Sequence, residues 1–218
     1  GSLRSSARTM LPSPVTSSRP TIVVAMLPSS APVPWVAVDT APAIGAAQPA
    51  LLTAGTTTVN SLGVTLDRYG AGHDIADGDE FVGGDPAPIP MFTGGAVVFR
   101  RGFLADTGGF DERWFLYYED VDLALRGAAR GWEYRVVPAA VVEHARGATS
   151  AQIPERTRYL QERNRLWNAF RHADPGTVAR AVWLSVRRLR HRPRGVHARA
   201  LAAGLAGAPR RLLDRARA

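Results

Sequence analysis

The sequence predicts an α/β domain followed by amphipathic helices, and three observations predict it. Two β-branched bursts, Arg135–Val137 and Ala139–Val142, follow a helix-like run at Val121–Arg130. Gly/Pro-rich turns separate further short apolar stretches between Ala43 and Phe99. Beyond Pro154 helical periodicity takes over for the rest of the chain.

Residues 1–38 are rich in Ser, Pro, Ala and Thr and are read as a poorly ordered, low-complexity leader, with Thr21–Met26 as a lone strand candidate. Residues 39–153 form the α/β part. Ala43–Ala47 and Pro49–Thr53 suggest a short strand near Gln48, and Thr56–Asn60 and Leu62–Leu66 flank a turn at Ser61-Leu62-Gly63. Gly70–Pro90 is polar and rich in Gly, Asp and Pro, and is expected to be one long loop. Gly94-Gly95 precede a strand at Ala96–Phe99; paired glycines there permit close backbone approach or mark a bulge. A short helix is expected from Arg100 to the Gly108-Gly109 pair, and Gly131 should cap the helix at Val121–Arg130. Residues 154–218 are the helical, basic part, with helices at Pro154–His172, Thr177–Leu189 and Ala198–Arg217 separated by Asp174-Pro175-Gly176 and Pro193–Gly195.

Composition narrows the chemistry. The 218 residues contain no cysteine, which removes disulfides and thiolate metal sites and leaves Mg²⁺ or Mn²⁺ on Asp, Glu or His as the metals that fit. All 27 Lys+Arg residues are arginine, net charge is +8, and the arginines crowd from Arg187 onward against one acid, Asp214. Such a tail suits a phosphate or anionic-lipid surface, such as a membrane, or a solvated helical face equally. It lacks interleaved aromatics, and no nucleic-acid motif is present, so nucleic acid is not an expected partner. No apolar run is long enough to span a bilayer. The expected location is cytoplasmic, peripheral on the inner face of the cell membrane.

The densest chemistry lies in GGFDERWFLYYEDVDLALRGAARGWEYRVVPAAVVEH, Gly108–His144. Aromatic and apolar residues at Phe115–Tyr118 run directly into Glu119, Asp120 and Asp122. Desolvation and mutual repulsion raise a carboxylate's pKa, whereas a helix N-terminus lowers it. An acid balanced between these influences is a candidate general base. The competing reading is an ordinary acidic first turn with Asp122 paired to Arg126 at i,i+4.

The string TGGAVVFRRGFLADTGGFDERWFLYYEDVDLALRGAARGW…VVEH, with IGAAQPALL before it and QERNRLW after it, resembles the C-terminal half of family-2 glycosyltransferases, specifically the bacterial rhamnosyltransferase and galactofuranosyltransferase-like branch. The resemblance runs from about Ala43 to about Arg171. It implies a partial GT-A (Rossmann-like) sheet with C-terminal amphipathic helices, and transfer of a sugar with inversion from a nucleotide sugar to an acceptor hydroxyl on a glycan or lipid-linked carrier in cell-wall polysaccharide biosynthesis. By resemblance, Asp120 is the catalytic base, and Glu119 shapes the acceptor site. Gly94 and Gly95 line the sugar and acceptor pocket. For the aromatics Phe115, Tyr117 and Tyr118 a core role outweighs sugar stacking; Trp114, beside the acidic turn, is the exception and an acceptor-binding candidate. His144 is a metal ligand for Mg²⁺ or Mn²⁺. The family's nucleotide-holding half, which ends in an Asp-x-Asp motif, has no match in this sequence; Asp77-Gly78-Asp79 has the letters but sits in the polar loop. A truncated chain that binds nucleotide sugar weakly is therefore one expectation, and a non-catalytic remnant that binds glycan or a partner is the alternative.

Overall fold

The computed structural model describes residues 41–145 and 153–216. The leader, with its strand candidate at Thr21–Met26, lies outside them. Among the described residues the architecture is α/β: a curled mixed sheet of partial Rossmann-like form, a two-stranded ribbon and five helices.

Strand β1, Ile44–Thr53, is the axis, buried along its whole length except at Thr53. A strand covered on both faces requires the nearly unbroken apolar run that this one has. Strand β7, Glu133–His144, runs parallel to it. Strands β2 (Val59–Ser61) and β6 (Val98–Phe99) pair antiparallel with β1, one after the other, and β5 (Ala87–Ile89) pairs antiparallel with β7. Strands β3 (Val64–Leu66) and β4 (Gly72–Asp74) make the separate ribbon.

The short strand expected near Gln48 is the ten-residue β1, and the Gln48 side chain is satisfied inside it: Nε2 donates to the Ser61 carbonyl at 3.3 Å and Oε1 accepts from the Thr93 amide at 2.9 Å. A buried amide with both ends bonded is tolerated inside a strand. The two β bursts after residue 133 are one strand. Its register against β1 slips between the pairs Pro49↔Val137 and Ala50↔Val141, around Pro138, which has no N–H to give to the ladder. The polar stretch Gly70–Pro90 is not one open loop, since it contributes both β4 and β5.

Helix α1, Arg101–Thr107, ends on Gly108 at φ 76°, a left-handed position that glycine accepts without strain. Helix α2 occupies Glu119–Ala128, beginning and ending two residues before the predicted run; Gly131, at φ 86°, serves the turn beyond rather than capping it. Helix α3 spans Pro154–His172, as its periodicity predicts. Helix α4, Pro175–Arg188, begins where a breaker was expected. Asp174 is its N-cap, accepting from the Thr177 amide at 3.0 Å, and Pro175 occupies the first turn. Helix α5 is Arg194–Ala216.

The main core joins the sheet to α1 and α2. Phe92, Phe103 and Tyr134 meet edge to face at centroid distances of 5.0–6.2 Å, over buried Leu123 and Ala124. A second core, with Leu166, Ala169, Phe170 and Ala181, joins α3 to α4 and α5.

Candidate active site

The turn leading into α2 is the most strained backbone among the described residues. Phe115, Tyr117 and Tyr118 each take φ 67°, a left-handed conformation that L-residues avoid at about 1–2 kcal/mol apiece. Helix α3 holds this turn in place. The buried Asn164 amide nitrogen reaches the carbonyls of Trp114, Leu116 and Tyr117 at 3.0, 2.9 and 2.7 Å, and Asn168 Nδ2 donates to the Tyr118 carbonyl at 3.3 Å. On the other side the Tyr118 hydroxyl accepts from the Gly72 amide at 3.0 Å, tying the turn to β4.

This turn sets the first residues of α2. Asp120 is half-buried; its Oδ2 accepts from the Gly94 amide at 2.7 Å and its Oδ1 from the Val121 amide at 2.8 Å. Burial pushes its pKa above the ordinary carboxylate range; the two amides pull it back, and the negative charge of Asp74 pushes it up again. Asp120 lines a cleft of about 880 Å³ together with Gly72, His73 and Asp74 of β4 and side chains of α3 and α4. That volume suits a small-molecule substrate, for which pockets run about 300–1,000 Å³.

Glu119 does not line the cleft. One of its carboxyl oxygens is buried without a hydrogen-bond partner, and burial, then the charge of Asp120, pushes its pKa up to about 8. At neutral pH Glu119 is therefore mostly neutral, which spares Asp120 a second adjacent negative charge. Gly94 acts through its amide rather than its size, because an added Cβ would lie 3.5 Å from Asp120 Oδ2, an ordinary contact. Gly95 is tighter: its Cβ would meet Leu51 at 3.1 Å and approach His144 Nε2 at 3.9 Å. The Gly94-Gly95 loop thus bonds to Asp120 and passes near His144.

His144 ends β7, with Nδ1 2.9 Å from Asn60 Oδ1. Among the described residues no group of three or more His, Cys, Asp or Glu side chains could hold a metal ion. The residues present there do not make up the donor set expected for Mg²⁺ or Mn²⁺. The segment Asp77–Asp79 forms a turn, with the Asp79 carbonyl accepting from the Val59 amide at 2.8 Å.

Trp114 corrects the expectation that it borders the acceptor. It is fully buried, edge to face with Trp167 at 5.6 Å and beneath the Arg211 guanidinium at 5.6 Å. Packing between α3 and α5 leaves none of its surface for a sugar.

Asp122 is structural, and more heavily bonded than the simple helix pair with Arg126. Fully buried, it accepts from Arg126 Nε at 2.9 Å and Arg171 Nη1 at 2.9 Å, and lies 2.8 Å from His172 Nε2. Burial raises its pKa, but His172, Arg126 and Arg171 together leave it below the ordinary value.

Sequence reasoning missed the support in α3. Glu162, Asn164, Arg165 and Asn168 are polar yet buried. Buried polar side chains at i,i+3 and i,i+4 spacing in QERNRLWN were a legible sign that this helix holds something besides a core.

No family model matches the chain. A 67-residue stretch is 39% identical to N-acetylglucosaminyl-diphospho-decaprenol L-rhamnosyltransferase from Mycobacterium tuberculosis, in both strain CDC 1551 / Oshkosh and strain ATCC 25618 / H37Rv. The likeness supports a relationship to a glycosyltransferase. The stretch is 31% of this chain and 22% of each relative, so the relatives are considerably longer than the part matched.

Proposed function

We propose that this chain carries the acceptor-activating part of an inverting GT-A glycosyltransferase, with Asp120 as general base. The observation that carries the reading is a half-buried aspartate, raised in pKa, fixed by two backbone amides and exposed to a cleft of substrate size. The acceptor hydroxyl gives its proton to Asp120 as its oxygen attacks the anomeric carbon of the nucleotide sugar. The bond to the nucleoside diphosphate breaks from the opposite face, which inverts the configuration. The amides of Gly94 and Val121 hold the carboxylate still, so its position is set before the substrate arrives. The mycobacterial relatives are named as transferring L-rhamnose to N-acetylglucosaminyl-diphospho-decaprenol. We take a lipid-linked sugar of that kind as the acceptor and the membrane's inner face as the place of reaction.

The test is transfer of radiolabelled sugar from dTDP-, UDP- and GDP-sugars to a prenyl-diphosphate-linked N-acetylglucosamine. Asp120→Asn is expected to lower the rate by about 10²–10⁴, the usual contribution of a positioned base. The acid limb of the wild-type pH profile should lie above the ordinary aspartate value of 3.8, because the rate requires the ionised carboxylate. A rate unchanged by Asp120→Asn would refute the reading. Acceptor binding with no transfer under any donor would instead identify a non-catalytic, glycan-binding remnant.

A further inference from the structure

The strained turn before α2 carries four aromatic residues, and the fold commits three of them elsewhere. Trp114 is fully buried against Trp167. Phe115 is exposed, with the Arg156 guanidinium 5.1 Å from its ring centroid. Tyr118 packs against the main core, and its hydroxyl accepts from the Gly72 amide at 3.0 Å. Tyr117 differs. It belongs to none of the core clusters, it is half-buried, and it lines the cleft that contains Asp120. Among the described residues its hydroxyl enters no hydrogen bond, and its ring stacks on no other ring or guanidinium.

The backbone accounts for this placement. Tyr117 takes φ 67°, a left-handed position that glycine or asparagine would occupy at less cost. Its carbonyl accepts from Asn164 Nδ2 at 2.7 Å, and the same amide holds Trp114 and Leu116. The turn is thus kept against its local preference by a side chain buried in α3. Strain of this kind persists where the surroundings over-determine it, and it gathers at ligand sites. Filling a core does not account for it here, since no core cluster includes the Tyr117 ring. What the strain achieves is placement: an aromatic ring enters the cleft from a position three residues before Asp120.

A sugar ring is polar around its edge and apolar on the face where its C–H bonds point. The face of an aromatic ring is electron-rich and meets such C–H groups favourably. Ligand clefts commonly combine aromatic walls with a few placed polar groups. Tyr117 supplies the wall and Asp120 the polar group.

We propose that Tyr117 is a specificity-determining residue whose ring stacks on the sugar ring of the acceptor and turns its reactive hydroxyl toward Asp120. The proposal rests on the reading of Asp120 as the acceptor's base. The donor also brings a sugar ring; the shared cleft and the adjacency to the base assign Tyr117 to the acceptor's, and the test separates the two.

The full chain is titrated calorimetrically with prenyl-diphosphate-linked N-acetylglucosamine, with prenyl diphosphate lacking the sugar, and with dTDP-L-rhamnose beside dTDP. The sugar-linked prenyl compound is expected to bind more tightly than prenyl diphosphate. Tyr117→Leu should weaken the sugar-linked compound by about three- to tenfold, the scale of an aromatic contact, and leave prenyl diphosphate unchanged. Tyr117→Phe keeps the ring and should bind the sugar-linked compound with wild-type affinity. Equal weakening of both prenyl compounds by Tyr117→Leu would assign the ring to the fold and overturn the proposal. So would a leucine variant that binds as wild type does, or a phenylalanine variant that falls as far as leucine. Weakening confined to dTDP-L-rhamnose would give the ring to the donor's sugar, and a wild-type chain that binds the sugar-linked compound no more tightly than prenyl diphosphate would leave nothing for it to stack on; either result overturns the proposal. The titration involves no transfer, so a failure here leaves the Asp120→Asn rate, and the reading that depends on it, standing.

Discussion

At the scale of single residues the site depends on a division of labour between neighbouring acids. Asp120, Glu119 and Asp122 lie within four positions, yet they meet three different environments. Asp120 accepts two amides and faces a cleft, Glu119 keeps an unbonded buried oxygen, and Asp122 is saturated by cations. The unbonded oxygen has a measurable consequence. In the fold Glu119 holds its proton up to about pH 8, whereas the unfolded chain releases it near 4.5. The native state therefore binds more protons across that window, and stability falls as pH rises through it. Glu119→Gln mimics the neutral form. It should raise the melting temperature at pH 8 relative to wild type and change it little at pH 4, as followed by thermal denaturation. A variant with the same stability increment at both pH values would show that Glu119 is not the group responsible.

At the scale of elements, α2 reaches its place because one of its residues has no side chain. A Cβ on Gly127 would fall inside van der Waals contact with the Tyr134 hydroxyl and the Phe103 ring. Tyr134 itself donates to the Ala124 carbonyl at 2.6 Å, so the ring cannot swing away without losing a buried bond. Gly127→Ala gains helix propensity worth about 1 kcal/mol, but overpacking costs about 1–3 kcal/mol or more. The net expectation is loss of stability in urea unfolding, together with reduced transfer activity as Asp120 shifts with its helix. Gly94→Ala, where the added atom only touches Asp120, should be far milder. The same logic binds α5 to α3, where a Cβ on Gly204 or Gly207 would press into Leu166 or Trp167.

At the scale of the whole molecule, a buried ionic network ties the helical part to the sheet part. Asp111 ion-pairs with Arg113, Arg171 and Arg211, and Arg171 continues to Asp122. Burial raises the Asp111 pKa, but its arginines hold it down at about 2. The surface of α4 and α5 carries Trp183, Leu205, Leu212 and Leu213, all exposed, together with exposed arginines such as Arg187, Arg199 and Arg210. No described helix is long and apolar enough to cross a membrane. An apolar and basic face of this kind fits our proposal of a membrane-surface reaction, since each basic residue near an anionic leaflet contributes about 1 kcal/mol. Sedimentation with phosphatidylglycerol vesicles should pull the chain down at low salt, and Leu212→Ser/Leu213→Ser should weaken this several-fold. Equal recovery with phosphatidylcholine vesicles, or none with either, would remove the membrane from the account.

Much of this was readable in advance where the cause is local. Helix α3 follows from its periodicity, α1 from the glycine that stops it, and the strand around Gln48 from the apolar residues on either side of it. The acid cluster was visible because aromatic residues beside three carboxylates are unusual whatever the fold. Other features were illegible because their causes lie far away in the chain. Gln48 is polar yet fully buried in β1, because Ser61 and Thr93, from other segments, satisfy its side chain. Trp114 looked available until α3 and α5 closed over it. The left-handed turn at Phe115–Tyr118 carries no glycine to announce it, and it persists because Asn164 and Asn168, about fifty positions later, donate to its carbonyls. By itself the sequence determined the fold class, the helices and the stretch in which the chemistry lies, since propensity and hydrophobic period act over a few residues. Only the tertiary structure decided which of three adjacent acids faces the cleft and which arginines surround it, because desolvation and charge pairing depend on neighbours that distant segments supply.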